Sequence, residues 1–160
     1  MEFLKFFLFA LLIGTLTGCS LRFEEVTDNP NFAYLRGKQF ISLTPMYLYS
    51  VDLPPGYNGQ VDKFFLFPFL DGGGIYGREI INRRILSEGF VIEVESIYRS
   101  INHLPGFKKV EAKVRFLYPQ QESSIPVFID LDKYLLNQDF FTNFSTLEKA
   151  KDDMVGEAKR

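Results

Sequence analysis

The 160-residue chain contains one cysteine, one histidine and no tryptophan. A single thiol cannot close an intramolecular disulfide, so any extracytoplasmic domain built from this chain is held by packing alone. The lone histidine, His103, is the only candidate for the usual general base at neutral pH. There is no G-x-S-x-G serine, and Ser87, Ser96 and Ser100 lie in ordinary surroundings. No D-x-D-x-D-G calcium loop is present either. The formal net charge is -2, and without a basic stripe a nucleic-acid partner is not expected. No apolar run approaches the roughly 20 residues that a membrane-crossing helix requires. Internal repeats are absent, and the only low-complexity tract is Gly72-Gly73-Gly74.

Aromatic rings, by contrast, are plentiful: 18 phenylalanines and 8 tyrosines. They are the natural source of a core that has no sulfur bridges. The N-terminus has a short positive start with Lys5, an apolar block from Phe6 to Ile13, and then small residues. That is the three-part layout of a secretory signal. Leu16-Thr17-Gly18-Cys19 follows and resembles the lipobox of bacterial lipoproteins. The resemblance implies cleavage between Gly18 and Cys19 and a diacylglyceryl group on the Cys19 thiol. In many Gram-negative bacteria the mature N-terminus carries three acyl chains, and two or three chains make membrane attachment stable where one does not. The residue after the cysteine is Ser20 rather than the aspartate that favours inner-membrane retention, so the resemblance implies the outer membrane, on its periplasmic face. In a Gram-positive source the anchor would lie on the outer face of the cytoplasmic membrane.

Four segments are expected: a signal over 1–18, a lipidated N-terminus and tether over 19–36, a β domain over 37–142, and a C-terminal helix or tail over 143–160. Ser20 to Asn31 reads as the tether, which would reach roughly 40 Å when fully extended. Gln39 to Leu43 and Met46 to Val51 are short strands separated by Thr44-Pro45, and Pro54 to Gly59 is a turn cluster. Val61 to Leu70 is very apolar, but Pro68 argues against a regular central strand. The strongest signal is a pair of period-two runs. Phe90, Ile92, Val94, Ser96 and Tyr98 alternate with Val91, Glu93, Glu95, Ile97 and Arg99, while Val110, Ala112, Val114, Phe116 and Tyr118 alternate with Lys109, Glu111, Lys113, Arg115 and Leu117. Two half-buried antiparallel strands follow, with the acids of the first facing the bases of the second. Ile125 to Leu131 is a further strand. Ser145-Thr146-Leu147-Glu148 has the form of a capping box opening a helix to about Ala158. The expected fold is mainly β, a small antiparallel barrel or sandwich of roughly five to seven strands with a short C-terminal helix. The run Ile85 to Val94 also looks like the turn-then-strand element of bacterial SH3-like barrels.

Few constellations suggest chemistry. Gly72 to Gly77 satisfies G-x-G-x-x-G, with a possible helix over Arg78 to Leu86 and Glu93 and Glu95 about twenty residues on. Pro68, the exported address and the missing βαβ alternation all oppose a nucleotide site, and no Lys-Ser/Thr pair follows for a P-loop. A flexible loop is the expected role. Asp130 and Asp132 form at most half of an oxygen-rich cation site, and Asp132 is expected to cap a turn through Lys133 to Leu136. Glu93 and Glu95 are expected on a solvated face. Arg78, Arg83, Arg84 and Lys63 are candidates for meeting anionic lipid headgroups or lipopolysaccharide.

No metal and no cofactor are expected. The expected function is non-catalytic: a lipid-anchored envelope protein presenting a β domain to a protein or peptidoglycan partner, with Tyr47, Tyr49, Tyr57 and Tyr76 as contact candidates. The alternatives are an envelope hydrolase using His103 with a carboxylate such as Glu93 or Glu95, and a membrane-anchored immunity or inhibitor protein.

Overall fold

The computed structural model describes residues 22–53, 59–69, 79–101, 109–118 and 124–145. It contains β1 (Phe23–Glu25), β2 (Gln39–Ser42), β3 (Met46–Val51), β4 (Lys63–Pro68), β5 (Ile80–Leu86), β6 (Val91–Ser100), β7 (Val110–Tyr118), β8 (Val127–Asp130) and β9 (Phe141–Asn143). A 3-10 turn spans Ala33–Leu35 and a π-helical turn spans Leu131–Leu135. The protein is therefore mainly β, as the period-two runs require. The expected C-terminal helix, Thr146 to about Ala158, lies outside the described residues.

All nine strands join one sheet, in the order β5-β3-β4-β8-β7-β6-β2-β9, with β1 pairing β6 beside this path. The connectivity forces this sheet to curl. In a flat sheet β2 and β3 would stand five places apart, about 24 Å at ~4.8 Å per strand. The link from Ser42 to Met46 spans at most about 14 Å. The link from β5 to β6 through Ser87 to Phe90 reaches at most about 18 Å, and these strands too are five places apart. The sheet is thus barrel-like, and its concave side closes over Met46, Leu48, Leu66, Ile92, Ile97, Ala112, Ile129 and Leu131, each fully buried. Burying a side chain of this size contributes about 1.5–3 kcal/mol.

β6 and β7 pair antiparallel as expected, and the acid-base facing is realised: Arg115 Nη2 lies 2.5 Å from Glu93 Oε1, and Lys113 Nζ lies 3.0 Å from Glu95 Oε2. The continuous alternation in β6 does not persist. Val94 pairs with Val114 and Ser96 with Lys113, which leaves Glu95 as the extra residue of a β-bulge. Beyond it the phase inverts. Ile97 turns inward opposite Ala112, and Tyr98 turns outward, its ring 5.7 Å from that of Phe128.

The N-terminal segment seals the bulged edge. The Ile97 N–H donates to Thr27 Oγ1 (2.9 Å), and the Val26 N–H donates to the Ile97 carbonyl (2.8 Å). On the other side of the bulge, the Gly37 N–H donates to the Val94 carbonyl at 2.9 Å. Between these points the chain swings out and back, and Leu35 at the 3-10 turn plugs the core at 1% exposure. The stretch that reads as a tether thus carries strand β1 and the buried residues Val26 and Thr27. Its polarity serves an edge rather than a free linker.

Two further expectations change. β4 lies between β3 and β8, a central position despite Pro68. Its parallel pairing with β8 ends at Leu66 opposite Ile129, so Pro68 has no donor to supply on that side. The possible helix over Arg78 to Leu86 is instead the edge strand β5, paired to β3 from Met46–Leu86 to Val51–Ile80. The glycine-rich run before it lies outside the described residues.

Candidate functional site

Among the described residues, two places where the sheet departs from apolar-in, polar-out patterning lie at opposite ends of the β6–β7 hairpin. Nine steps of about 3.3 Å separate the ends of β6, roughly 30 Å.

The first is an apolar mouth at the Val91–Tyr118 end. Ile85, Leu86, Ser87, Glu88, Gly89, Phe90, Phe116 and Tyr118 line a cavity of about 320 Å³. Phe90 and Phe116 form its floor with ring centroids 5.5 Å apart, and Phe141 backs Phe90 at 6.0 Å. The link from β5 passes through Gly89 at φ +87°, a conformation that favours glycine. The Gly89 N–H donates to the Ser42 carbonyl and the Ser42 N–H to the Phe90 carbonyl, which pins the floor to β2. Over this rigid base Ile85 remains 57% exposed and Tyr118 70% exposed. Ile85 belongs to β5, which is the terminal strand of the sheet order.

The second is a polar corner at the Ser100–Val110 end. Glu111 is buried to 2% exposure on the face opposite the main core. Lys109 Nζ lies 2.7 Å from Glu111 Oε1. Lys63 Nζ sits 4.2 Å from the Phe65 ring centroid, 5.4 Å from Phe128 and 5.9 Å from Phe23, and Lys109 Nζ is 4.9 Å from Phe65. Ammonium groups over ring faces gain cation–π attraction, which strengthens as water is excluded. Burial pushes the Lys63 ammonium below its ordinary pKa of 10.5; Glu111 opposes that shift and Lys109 adds to it. Nearby, Arg99 Nη2 holds Glu24 Oε1 at 2.6 Å. The aromatic stripe continues along β4 and β3, where Arg83 lies over Tyr47 at 5.4 Å and Lys133 over Phe67 at 6.0 Å.

Against these two places the tyrosine candidates fare unevenly. Tyr49 is 0% exposed, packed edge-on to Phe67, and its hydroxyl is buried without a partner, so it cannot serve as a contact residue. Tyr47 is half-buried against Phe69. Tyr57, Tyr76 and His103 lie outside the described residues, as do Gly18 and Cys19. Sequence reasoning missed Tyr118 as a surface residue. It continues the inward phase of β7, but at the strand end that phase opens into the mouth.

The carboxylate candidates are each engaged by neighbouring groups. Glu93 accepts from Arg115 and from Gln39 Nε2, and Glu95 is paired to Lys113. Asp130, not Asp132, caps the turn at Leu131–Leu135: its Oδ1 accepts the Lys133 N–H at 2.9 Å. The turn closes five residues back, with the Leu136 N–H donating to the Leu131 carbonyl, and this sets the cap two positions earlier. Among the described residues no group of three or more His, Cys, Asp or Glu side chains is placed to hold a metal ion. Nor is any helix among them long and apolar enough to cross a membrane. Comparison with known proteins gives no match to a family model, to a curated protein or to a solved structure.

Proposed function

We propose that this chain is a lipid-anchored protein of the bacterial envelope that binds, without chemistry, an apolar segment of a partner protein at the mouth between Ile85 and Tyr118. The signal layout and Leu16-Thr17-Gly18-Cys19 support the anchor and an outer-membrane, periplasmic location. The observation that carries the binding reading is the exposure of Ile85 and Tyr118 over a floor of Phe90 and Phe116. A large exposed tyrosine beside an apolar cavity is the usual anchor of a protein interface, because it buries much area while freezing few torsions. The cavity volume, about 320 Å³, is at the lower limit of small-molecule sites and suits one or two apolar side chains. Partner backbone has a place as well, since β5 is a terminal strand and edge strands accept added strands. Glu93 and Glu95 are both engaged in ion pairs with β7, which supports the non-catalytic reading.

The test uses the full acylated chain with a photo-crosslinking residue at position 118, in its native membrane, and a control label at the exposed Arg36. Expected is a saturable, site-specific protein adduct at 118 that Ile85→Asp abolishes without lowering Tm by more than a few degrees. Equal labelling from both positions, together with turnover of an envelope substrate, would overturn the reading.

A further inference from the structure

We propose that the mouth is occupied by a second copy of this chain, with the two β5 strands pairing antiparallel across a two-fold axis at Leu86. The inference rests on the reading of the mouth as a protein-binding site and names its partner.

The first argument is which backbone groups β5 leaves open. The Phe69 N–H donates to the Pro45 carbonyl and the Asp62 N–H to the Val51 carbonyl, so the odd-numbered residues of β3 bond toward β4. In an antiparallel ladder alternate residues bond the other way, and the Asp52 N–H accordingly donates to the Glu79 carbonyl. Leu48–Arg84 and Met46–Leu86 are therefore the pairs that exchange hydrogen bonds, and the alternation turns the backbone groups of Arg83, Ile85 and Ser87 to the open edge. The Arg83 N–H is already taken, by Asn82 Oδ1 at 2.7 Å. Ile81 is the extra residue of a bulge, since Asn82 faces Ser50 and Ile80 faces Val51. Both devices discourage an added strand. The usable rim is thus short, from Arg84 to Glu88.

The second argument is charge. Arg84 is exposed on this rim, and Glu88, also exposed, lines the mouth two residues past Leu86. Among the described residues neither takes part in an ion pair. The string Arg84-Ile85-Leu86-Ser87-Glu88 is its own complement when reversed: with Leu86 opposite Leu86, Arg84 of each copy faces Glu88 of the other. Ile85 and Ser87 then face one another across the axis, and their open backbone groups can exchange hydrogen bonds. Registers centred on Arg83 or Arg84 would instead set guanidinium groups together, which is unfavourable. The Leu86 pair lies over the floor of Phe90 and Phe116, so each mouth is covered by the residues that line the other. An isologous contact of this kind closes at the dimer. So short a rim makes a weak pair in free solution, and confinement of acylated chains to one bilayer raises their effective concentration.

Full acylated chains carrying a donor or an acceptor fluorophore at Arg36→Cys, the unique thiol once Cys19 is acylated, are placed in phosphatidylcholine vesicles at low surface density. Wild-type chains are expected to show energy transfer that unlabelled chains compete away. Arg84→Glu alone and Glu88→Arg alone each set like charges opposite one another twice, and each is expected to need about tenfold more protein for half-maximal transfer. Donor-labelled Arg84→Glu mixed with acceptor-labelled Glu88→Arg restores both charge pairs and is expected to regain the wild-type value. With every variant shown to be folded by circular dichroism, single substitutions without effect, or a mixture no better than its components, overturn the inference. Wild-type chains that show no transfer yet crosslink at position 118 to another protein overturn it while leaving the mouth as a binding site. No transfer and no adduct at 118 removes both.

Discussion

The two ends of the β6–β7 hairpin violate the same rule in opposite directions. At the Ser100–Val110 end polar groups go inside: Thr27, Ser96, Ser100 and Glu111 are all buried. At the Val91–Tyr118 end apolar groups stay outside, with Ile85 and Tyr118 largely in solvent. Each buried polar group costs free energy unless it is hydrogen-bonded, and here Thr27 serves Ile97, Ser100 Oγ accepts the Lys109 N–H, and Glu111 has Lys109. Nothing comparable offsets the exposed Ile85. An end whose irregularities are internally satisfied can be a built structure, whereas one whose irregularity is unsatisfied has room for a partner.

Lys109→Met is the largest expected disruption of the satisfied end. It leaves the Glu111 carboxylate buried with only Lys63 nearby, and urea unfolding should show a loss of about 2–3 kcal/mol, less than a fully enclosed pair would cost because Lys109 is partly solvated. Thr27→Val comes next. It removes the acceptor of the Ile97 N–H at the bulge and should cost about 1–2 kcal/mol, with faster amide exchange at Ile97. Lys63→Met tests the sign of the lysine's burial. Because its folded pKa is depressed, the unfolded chain binds more protons between that lowered value and 10.5, so wild-type stability relative to Lys63→Met rises as pH increases through this window. Alkaline unfolding titrations of the two proteins, differing only at this group, read that slope, and parallel curves would contradict it. At the unsatisfied end Tyr118→Ser should change stability least, within about 0.5 kcal/mol, while removing the crosslinked partner.

How much of this was legible in the sequence depended on how local the deciding interactions are. The hairpin was readable because Glu93 and Glu95 face Arg115 and Lys113 at the same period as the apolar residues. The bulge was invisible for the same reason: an extra glutamate in an alternating run does not disturb the pattern until Ile97 and Tyr98 exchange faces. β5 lacks alternation altogether, since Asn82, Arg83 and Arg84 sit on an edge with no second neighbour to dictate a phase. Asp130 and Asp132 are equally good caps by type, and only the five-residue closure of the turn decides between them. The corner could not have been read at all. Phe23, Lys63, Lys109 and Glu111 come from the ends of three strands far apart in sequence, whereas Phe90 and Phe116 of the mouth were at least marked as inward-facing.

The parallel contact between β4 and β8 has a consequence for how the chain reaches this state. Phe64 to Leu66 must wait for Val127 to Ile129, and β2 for Phe141 to Asn143, before either gains its second neighbour. A chain emerging amino end first would therefore appear with its central strand half-zipped. Sheet closure becomes a late event, and a truncation just before Val127 would leave β4 as an adhesive open rim rather than a smaller stable domain.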